Sequence, residues 1–299
     1  MAEVFIASGK HRVKGIRQLL KQVDSSVFSK KNVAVKANFN SADPFPASTH
    51  IDTIRVILEE IKSAFPSKID LLDRSGMGNT IKVLRNLKVV ELCDELGVSY
   101  YVLDDFGVDD YVLIEKENHH WTRGFLYAKL FHDADVIVQT CCLKTHQYGG
   151  HFTLSLKNSV GMVAKYDPAD NYNYMKELHS SPHQRRMIAE INSVYTPAYV
   201  LMDAIDAFVS GGPAAGERVS PNVLLLSKDR IAIDAVGVAI LRHFGTTQKV
   251  AEGSIMKQEQ LARAAELGLG ISSLDDINLV SLDDEARAVV DYVNEEFSK

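Results

Sequence analysis

The sequence predicts an α/β protein, a mainly parallel sheet with helices on both faces. Three observations predict it. Short β-rich runs alternate with segments of helical periodicity along nearly the whole chain. The apolar positions in the longer segments repeat every three or four residues. Glycine and proline fall at the joints between segments rather than inside them.

The elements follow in order. Residues 11–23, HRVKGIRQLLKQV, read as an amphipathic helix, and residues 32–36, NVAVK, as a buried strand. Thr49 is placed to N-cap the next helix, with Asp52 at the capping-box position. Ile51, Ile54, Leu58, Ile61 and Phe65 then make one stripe, which Pro66 stops. Residues 69–73 form the next strand, and 79–96 a broken helix closed by Gly97 as C-cap. Residues 99–103 are strand, 124–133 helix and 135–140 strand. Between them, residues 104–122 are acidic and irregular, and read as an insertion holding a small hairpin.

In the second half Ser181 and Pro182 open a helix to about residue 194. Residues 198–202 and 222–226 read as strands. Residues 229–243 are apolar almost all round, so that helix is buried on most sides, with Asp229 as its N-cap. A polar helix at 251–267, a strand at 277–280 and an acidic helix at 283–299 complete the chain. No repeat or linker breaks it, so residues 1–299 read as a single elaborated α/β domain with the 104–122 segment inserted.

Composition excludes several function classes. At 299 residues, 46% hydrophobic and 24% charged, the chain is that of a globular protein with an ample core. No apolar run approaches the 18 or so residues of a membrane span, and residues 1–11 show no charged-then-apolar leader, so a cytoplasmic protein is expected. Cys93, Cys141 and Cys142 include no CxxC spacing, so no metal is expected on cysteines alone. The net charge of −6 is uneven: residues 1–150 balance at 19 basic and 19 acidic, while 151–299 carry 14 and 20. Residues 10–36 hold eight Lys or Arg against one Asp, which reads as a solvated helix face. With no zinc-finger spacing or RNP-like aromatic motif, nucleic acid is not an expected partner.

In open parallel sheets ligands lie beyond the carboxyl ends of the strands. Four segments there are rich in polar groups. In the first, Lys36 ends a strand, and Asn38 and Asn40 precede a helix start, which suits an anion or, equally, a polar loop whose asparagines hold its own turns. The second, LLDRSGMGNT at 71–80, has the layout of a weak phosphate loop but neither G-x-G-x-x-G nor a Walker sequence. The third, residues 140–163, concentrates Lys144, Thr145, His146, Lys157 and Asn158. Lysines there can hold a carboxylate or phosphate, and His146 can move protons. Cys141 and Cys142 end an apolar strand and read as core thiols, with a reactive thiolate near Lys144 as the alternative. The fourth holds Asp203 and Asp206 after a strand, and Asp234 on the buried helix. A carboxylate so placed needs a partner: a lysine or histidine of the third segment, or backbone N–H groups. His179 and His183 span a helix start and do not make a metal pair, and neither does the His119–His120 pair.

These residues carry a resemblance. VAVKANFN with Thr49, ADVIVQTCCLKTHQYGGHFTLSLKNSVGMV, LMDAIDAFVSGGPAAG and SKDRIAIDAVGVAIL with the later LGLG resemble the domain of unknown function 362 family of bacteria and archaea, over roughly residues 30–282. The Lys-Thr-His and Leu-Lys-Asn-x-x-Gly elements are the most specific, and Lys36, Asn38, Lys144, Thr145, His146, Lys157, Asn158, Asp203 and Asp234 match the pattern. The resemblance implies no established activity. Many relatives carry ferredoxin-like iron–sulfur modules, and three cysteines cannot supply one here. The layout is more loosely similar to lactate-racemase-type nickel-pincer enzymes, without a residue-by-residue match.

Two functions are therefore expected in competition. One is an enzyme on a small anionic molecule, with Lys36, Asn38, Asn40, Thr145, Lys157, Asn158 and Asp203 binding it and His146, Lys144 and Asp234 catalytic. The other is a non-catalytic accessory protein that docks a ferredoxin-like partner through Lys10, Lys14, Arg17 and Lys21.

Overall fold

A computed structural model describes residues 1–299. Its strands are β1 (Ala2–Ser8), β2 (Asn32–Lys36), β3 (Lys68–Asp73), β4 (Ser99–Val102), β5 (Tyr111–Ile114), β6 (Phe125–Ala128), β7 (Val136–His146), β8 (His151–Thr153), β9 (Tyr199–Gly211), β10 (Gly216–Val219), β11 (Val223–Ser227) and β12 (Ile277–Ser281). Ten of them form one sheet in the order β12-β1-β11-β9-β7-β2-β3-β4, with β8 on β7 and β10 on β9.

The sheet is mostly parallel, as the sequence predicts. β12 and β1, and the whole run β9-β7-β2-β3-β4, pair in parallel. β11 is antiparallel to both its neighbours, β1 and β9. Alternate residues of each strand face opposite cores, because side chains in a strand alternate with a period of two. In β9, Tyr199 and Leu201 pack with the helices Arg12–Leu20, Ile51–Ser63 and Val89–Leu96, while Val200 and Met202 pack with Arg230–His243, Glu259–Glu266 and Asp284–Phe297. Both faces are thus covered by helices. No helix is long and apolar enough to cross a membrane.

Several elements differ from expectation. β1 is not predicted, because ValPheIle among polar residues is too short a pattern to separate from loop. Residues 124–133 contain β6 and only one helical turn, Lys129–His132. β6 pairs with β5, so the inserted hairpin extends beyond residue 122, and its Trp121, Phe125 and Tyr127 fill a third core. β7 and β9 run well past residues 140 and 202, held by their mutual pairing across a bulge. The helix expected at 251–267 is two helical pieces, Gln248–Ala251 and Glu259–Glu266, with a 3₁₀ turn between them. His50, not Thr49, caps the helix Ile51–Ser63, its ring nitrogen accepting from Asp52 N. Thr49 instead accepts the Asn38 N–H at its hydroxyl.

Asp229 is the N-cap the sequence predicts. One carboxylate oxygen accepts from Ile231 N and Ala232 N at 2.8 and 2.9 Å, and the other from Ile271 N at 2.8 Å. Asp229→Ala removes both the cap and the tie to the 270s loop. It should lower stability by about 2 kcal/mol in urea unfolding followed by circular dichroism.

Candidate functional site

The carboxyl ends of β7, β2 and β3 lie side by side. The chain passes from β2 outward through β3 and β4, then returns to place β7 on the other side of β2. Such a change of direction opens a crevice above the sheet. A pocket of about 240 Å³ occupies it.

Each strand delivers its last side chains. Lys36 is the final residue of β2 and Asp73 of β3. Their side chains form a fully buried ion pair, Nζ to Oδ1 2.8 Å, each 2% exposed. Asp73 also accepts the backbone N–H groups of Phe39 (3.1 Å) and Arg74 (2.7 Å), so it ties both following loops together. Lys36 donates further to Asn158 Oδ1 at 3.2 Å and to its neighbour's carbonyl, Ala37 O. Burial pushes the Asp73 carboxyl up and the Lys36 amine down, and each opposes the other's shift. A β-carbon at Gly161 would lie 2.5 Å from Lys36 Cε and 2.8 Å from Asp73 Oδ1, so glycine is required there by close approach.

β7 supplies Lys144 and His146, two residues apart and therefore on one face. Lys144 is buried without a carboxylate. Its ammonium donates to Asn38 Oδ1 (2.6 Å), Pro46 O (3.2 Å) and Ala47 O. Burial drives the His146 ring far below its ordinary value, with Lys157 the next cause, so it is neutral at neutral pH. Its Nδ1 is buried without a partner.

β7 then turns back as β8, which leads into the short helix Ser155–Asn158. That helix carries Lys157 and Asn158 into the pocket. Lys157 Nζ makes no hydrogen bond or ion pair. Burial, reinforced by Lys144 and Arg74, lowers its amine to about 7. Asn158 bridges strands, accepting from Lys36 and donating to Thr140 O at 3.0 Å.

Residues not predicted complete the wall. Arg74, 3% exposed, donates to Val163 O (2.9 Å) and Val160 O (2.5 Å) and has no carboxylate partner. The LLDRSGMGNT segment pointed to this loop but not to Asp73 and Arg74 as its working residues. Met175 and His179 come from the helix Tyr174–Ser180, which is absent from the sequence prediction. His179 Nδ1 lies 2.7 Å from Met175 O, so it carries the hydrogen and leaves Nε2 as the acceptor. Burial lowers its ring as well.

Three predicted residues lie elsewhere. Thr145 is in register with the pocket residues but faces the other way, donating to Phe208 O at 3.2 Å. Asp203 is inside β9 and accepts from Arg12 Nε (2.9 Å) and Thr53 Oγ1 (2.7 Å). Asp234 does not reach the cavity either. It accepts the N–H groups of Ser155 (2.8 Å) and Leu156 (3.0 Å), the backbone alternative of the sequence reading, and burial raises it to about 7. Asp234 thus seats the helix bearing Lys157. Cys141 and Cys142 are buried thiols, Cys142 pushed up to about 11 by burial, which disfavours the reactive thiolate. No group of three or more His, Cys, Asp or Glu side chains is arranged to hold a metal.

The fold and site together define an α/β protein with a cationic pocket at the ends of adjoining parallel strands. Residues 33–239 match the family described as domain of unknown function (DUF362), and the chain belongs to that family. No curated protein matches it. Among solved structures, lactate racemase apoprotein from Thermoanaerobacterium thermosaccharolyticum is similar at 16% identity and a TM-score of 0.47. The similarity covers 70% of this chain and spans half of that protein.

Asp73→Asn leaves the Lys36 ammonium buried without a counter-charge and should cost about 3–5 kcal/mol, read by urea unfolding at pH 7. The amine of Lys157 gives a pH signature. Its folded value, about 7, lies below the unfolded one, so between pH 7 and about 10 the unfolded chain binds more protons. Stability should therefore rise across that window, and Lys157→Met should reduce the slope in unfolding curves taken at successive pH values.

Proposed function

We propose that this pocket binds a small anionic molecule, a carboxylate or phosphate, and that the protein is an enzyme acting on it. One observation carries the reading: four cationic side chains, Lys36, Arg74, Lys144 and Lys157, line a pocket whose single carboxylate is Asp73. Burying like charges is costly, and an anion between them offsets that cost. Donors without partners support the same reading, since Asn40 Nδ2 and the Thr153 hydroxyl are buried, unpaired and on the pocket wall.

The roles divide by hydrogen-bond occupancy. Lys36 and Lys144 already donate to protein oxygens, so they supply positive potential and hold the loops. Lys157, Asn40, Thr153 and the unpartnered Nη1 of Arg74 are the groups free to touch the anion. His146, predicted as the proton carrier, is held neutral, and Lys157 is the group whose charge changes near pH 7. His179, with its acceptor nitrogen fixed, is the second proton-transfer candidate. The three unpaired thiols suit a reducing compartment such as the cytoplasm.

The ferredoxin-docking alternative has less support. Arg12 is paired with Asp203, Arg17 with Glu59 and Lys10 with Glu285, all within this chain, leaving Lys14 and Lys21 without ion pairs.

Sulfate keeps a constant charge from pH 6 to 9 and is a suitable probe. Calorimetric titration should show binding that weakens above pH 7 by up to about tenfold per pH unit, as Lys157 loses the proton that the anion stabilises. Lys157→Met should bind more weakly at pH 6 and lose that dependence. Absence of binding by sulfate, phosphate and small carboxylates alike would overturn the reading.

A further inference from the structure

The pocket contains three lysines in different states. Lys36 donates to Asp73, Asn158 and a backbone carbonyl, and Lys144 to three carbonyl oxygens, so neither has a free N–H or a lone pair to offer. Lys157, half-buried on the wall of a cavity lined by three other cations, alone has an amine with no protein partner. Its position is set on both sides. Asp234 holds the two residues before it through their N–H groups, and Gly150 packs so closely that a β-carbon there would lie 2.8 Å from Lys157 Cε.

A desolvated lysine beside other cations is the arrangement that keeps an amine unprotonated and nucleophilic. A merely anion-binding lysine would be better left charged and hydrogen-bonded. We therefore propose that Lys157 captures a carbonyl: it forms an imine with the keto or aldehyde group of a small oxo acid, whose carboxylate lies among Arg74, Asn40 and Thr153. This rests on the anion-binding reading above and names its substrate class.

The step balances without any oxidant or reductant. The Nζ lone pair attacks the carbonyl carbon, a C–N bond forms, and the C=O π electrons move to oxygen. One N–H proton passes to that oxygen, giving a carbinolamine. The C–O bond then breaks, the oxygen leaves as water after taking a further proton, and the second N–H proton is released to give the neutral imine. His179 Nε2 and the neutral His146 ring stand on the same pocket wall to relay these protons. An amine lowered to about 7 is unprotonated far more often at pH 7.5 than an ordinary lysine, of which about one in a thousand is neutral.

Borohydride trapping tests the proposal on the full-length protein. Pyruvate and glyoxylate serve as probes at pH 7.5, each with sodium borohydride, followed by intact mass and peptide mapping. The expected result is one reduced adduct per chain, with Lys157 labelled at least about tenfold over any other lysine. Excess sulfate should suppress it, and Lys157→Arg should abolish it. Mapping in the unaltered protein makes the result independent of whether the variant folds. If calorimetry shows sulfate or the oxo acids binding but no adduct forms at Lys157, imine formation is overturned while anion binding stands. Adducts spread evenly over surface lysines overturn it equally. If neither sulfate nor an oxo acid binds and no adduct forms at Lys157, both readings fail.

Discussion

The ion pair between Lys36 and Asp73 joins the ends of two parallel strands at the floor of the pocket. It is the interaction on which the site depends. Asp73 also receives the N–H groups of Phe39 and Arg74, in the two loops that leave β2 and β3, so one carboxylate sets the course of both. Lys36 in turn holds Asn158, and through it the helix that carries Lys157. Gly161 must be glycine because no other residue could pass so near the pair. Burying two charges is compensated only when their remaining hydrogen-bonding positions are filled, and here they are.

With Asp73 committed to Lys36, nothing on the pocket wall neutralises Lys144, Arg74 and Lys157. Lys144 and Arg74 meet this differently from Lys157. They are surrounded by carbonyl oxygens, which stabilise a cation by dipole rather than by charge. Burial lowers all three, and Lys157, which has no such oxygens, is lowered to about 7. The accumulation of positive charge lowers one amine, and in the proposed reading it also attracts an anion. Asp234, outside the pocket, contributes by fixing the helix backbone on which that amine sits.

The family is known by its matching sequence segments, and those segments converge here on one crevice. Two line it directly, the loop after β2 and the segment that runs from the end of β7 through the β8 turn to the helix Ser155–Asn158, and Pro213 of the Asp203 segment also lies on its wall. Asp203 itself and the buried helix with Asp234 stand behind them as support. A motif residue can thus belong to the site by holding its frame rather than by touching a ligand.

The sequence by itself determined the α/β class, the strand cores at 32–36, 69–73 and 222–226, the Asp229 cap and the cluster Lys36, Asn38, Asn40, Lys144, His146, Lys157 and Asn158. Those features are written in local patterns: apolar periodicity, capping residues, and polar groups just after strands. Only the tertiary structure decided the rest. The strand partners that extend β7 and β9 are distant in sequence, and that extension turned Thr145 away from Lys144 and moved Asp203 into the sheet. Asp73 ends β3 and Arg74 begins the loop after it, at a junction whose place is set by β2 beside it, and His179 belongs to a helix placed by packing over the crevice. The charge of a lysine is likewise not local. Lys36, Lys144 and Lys157 are the same residue in the sequence, and only their neighbours leave one in an ion pair, one among carbonyl oxygens and one without a protein partner.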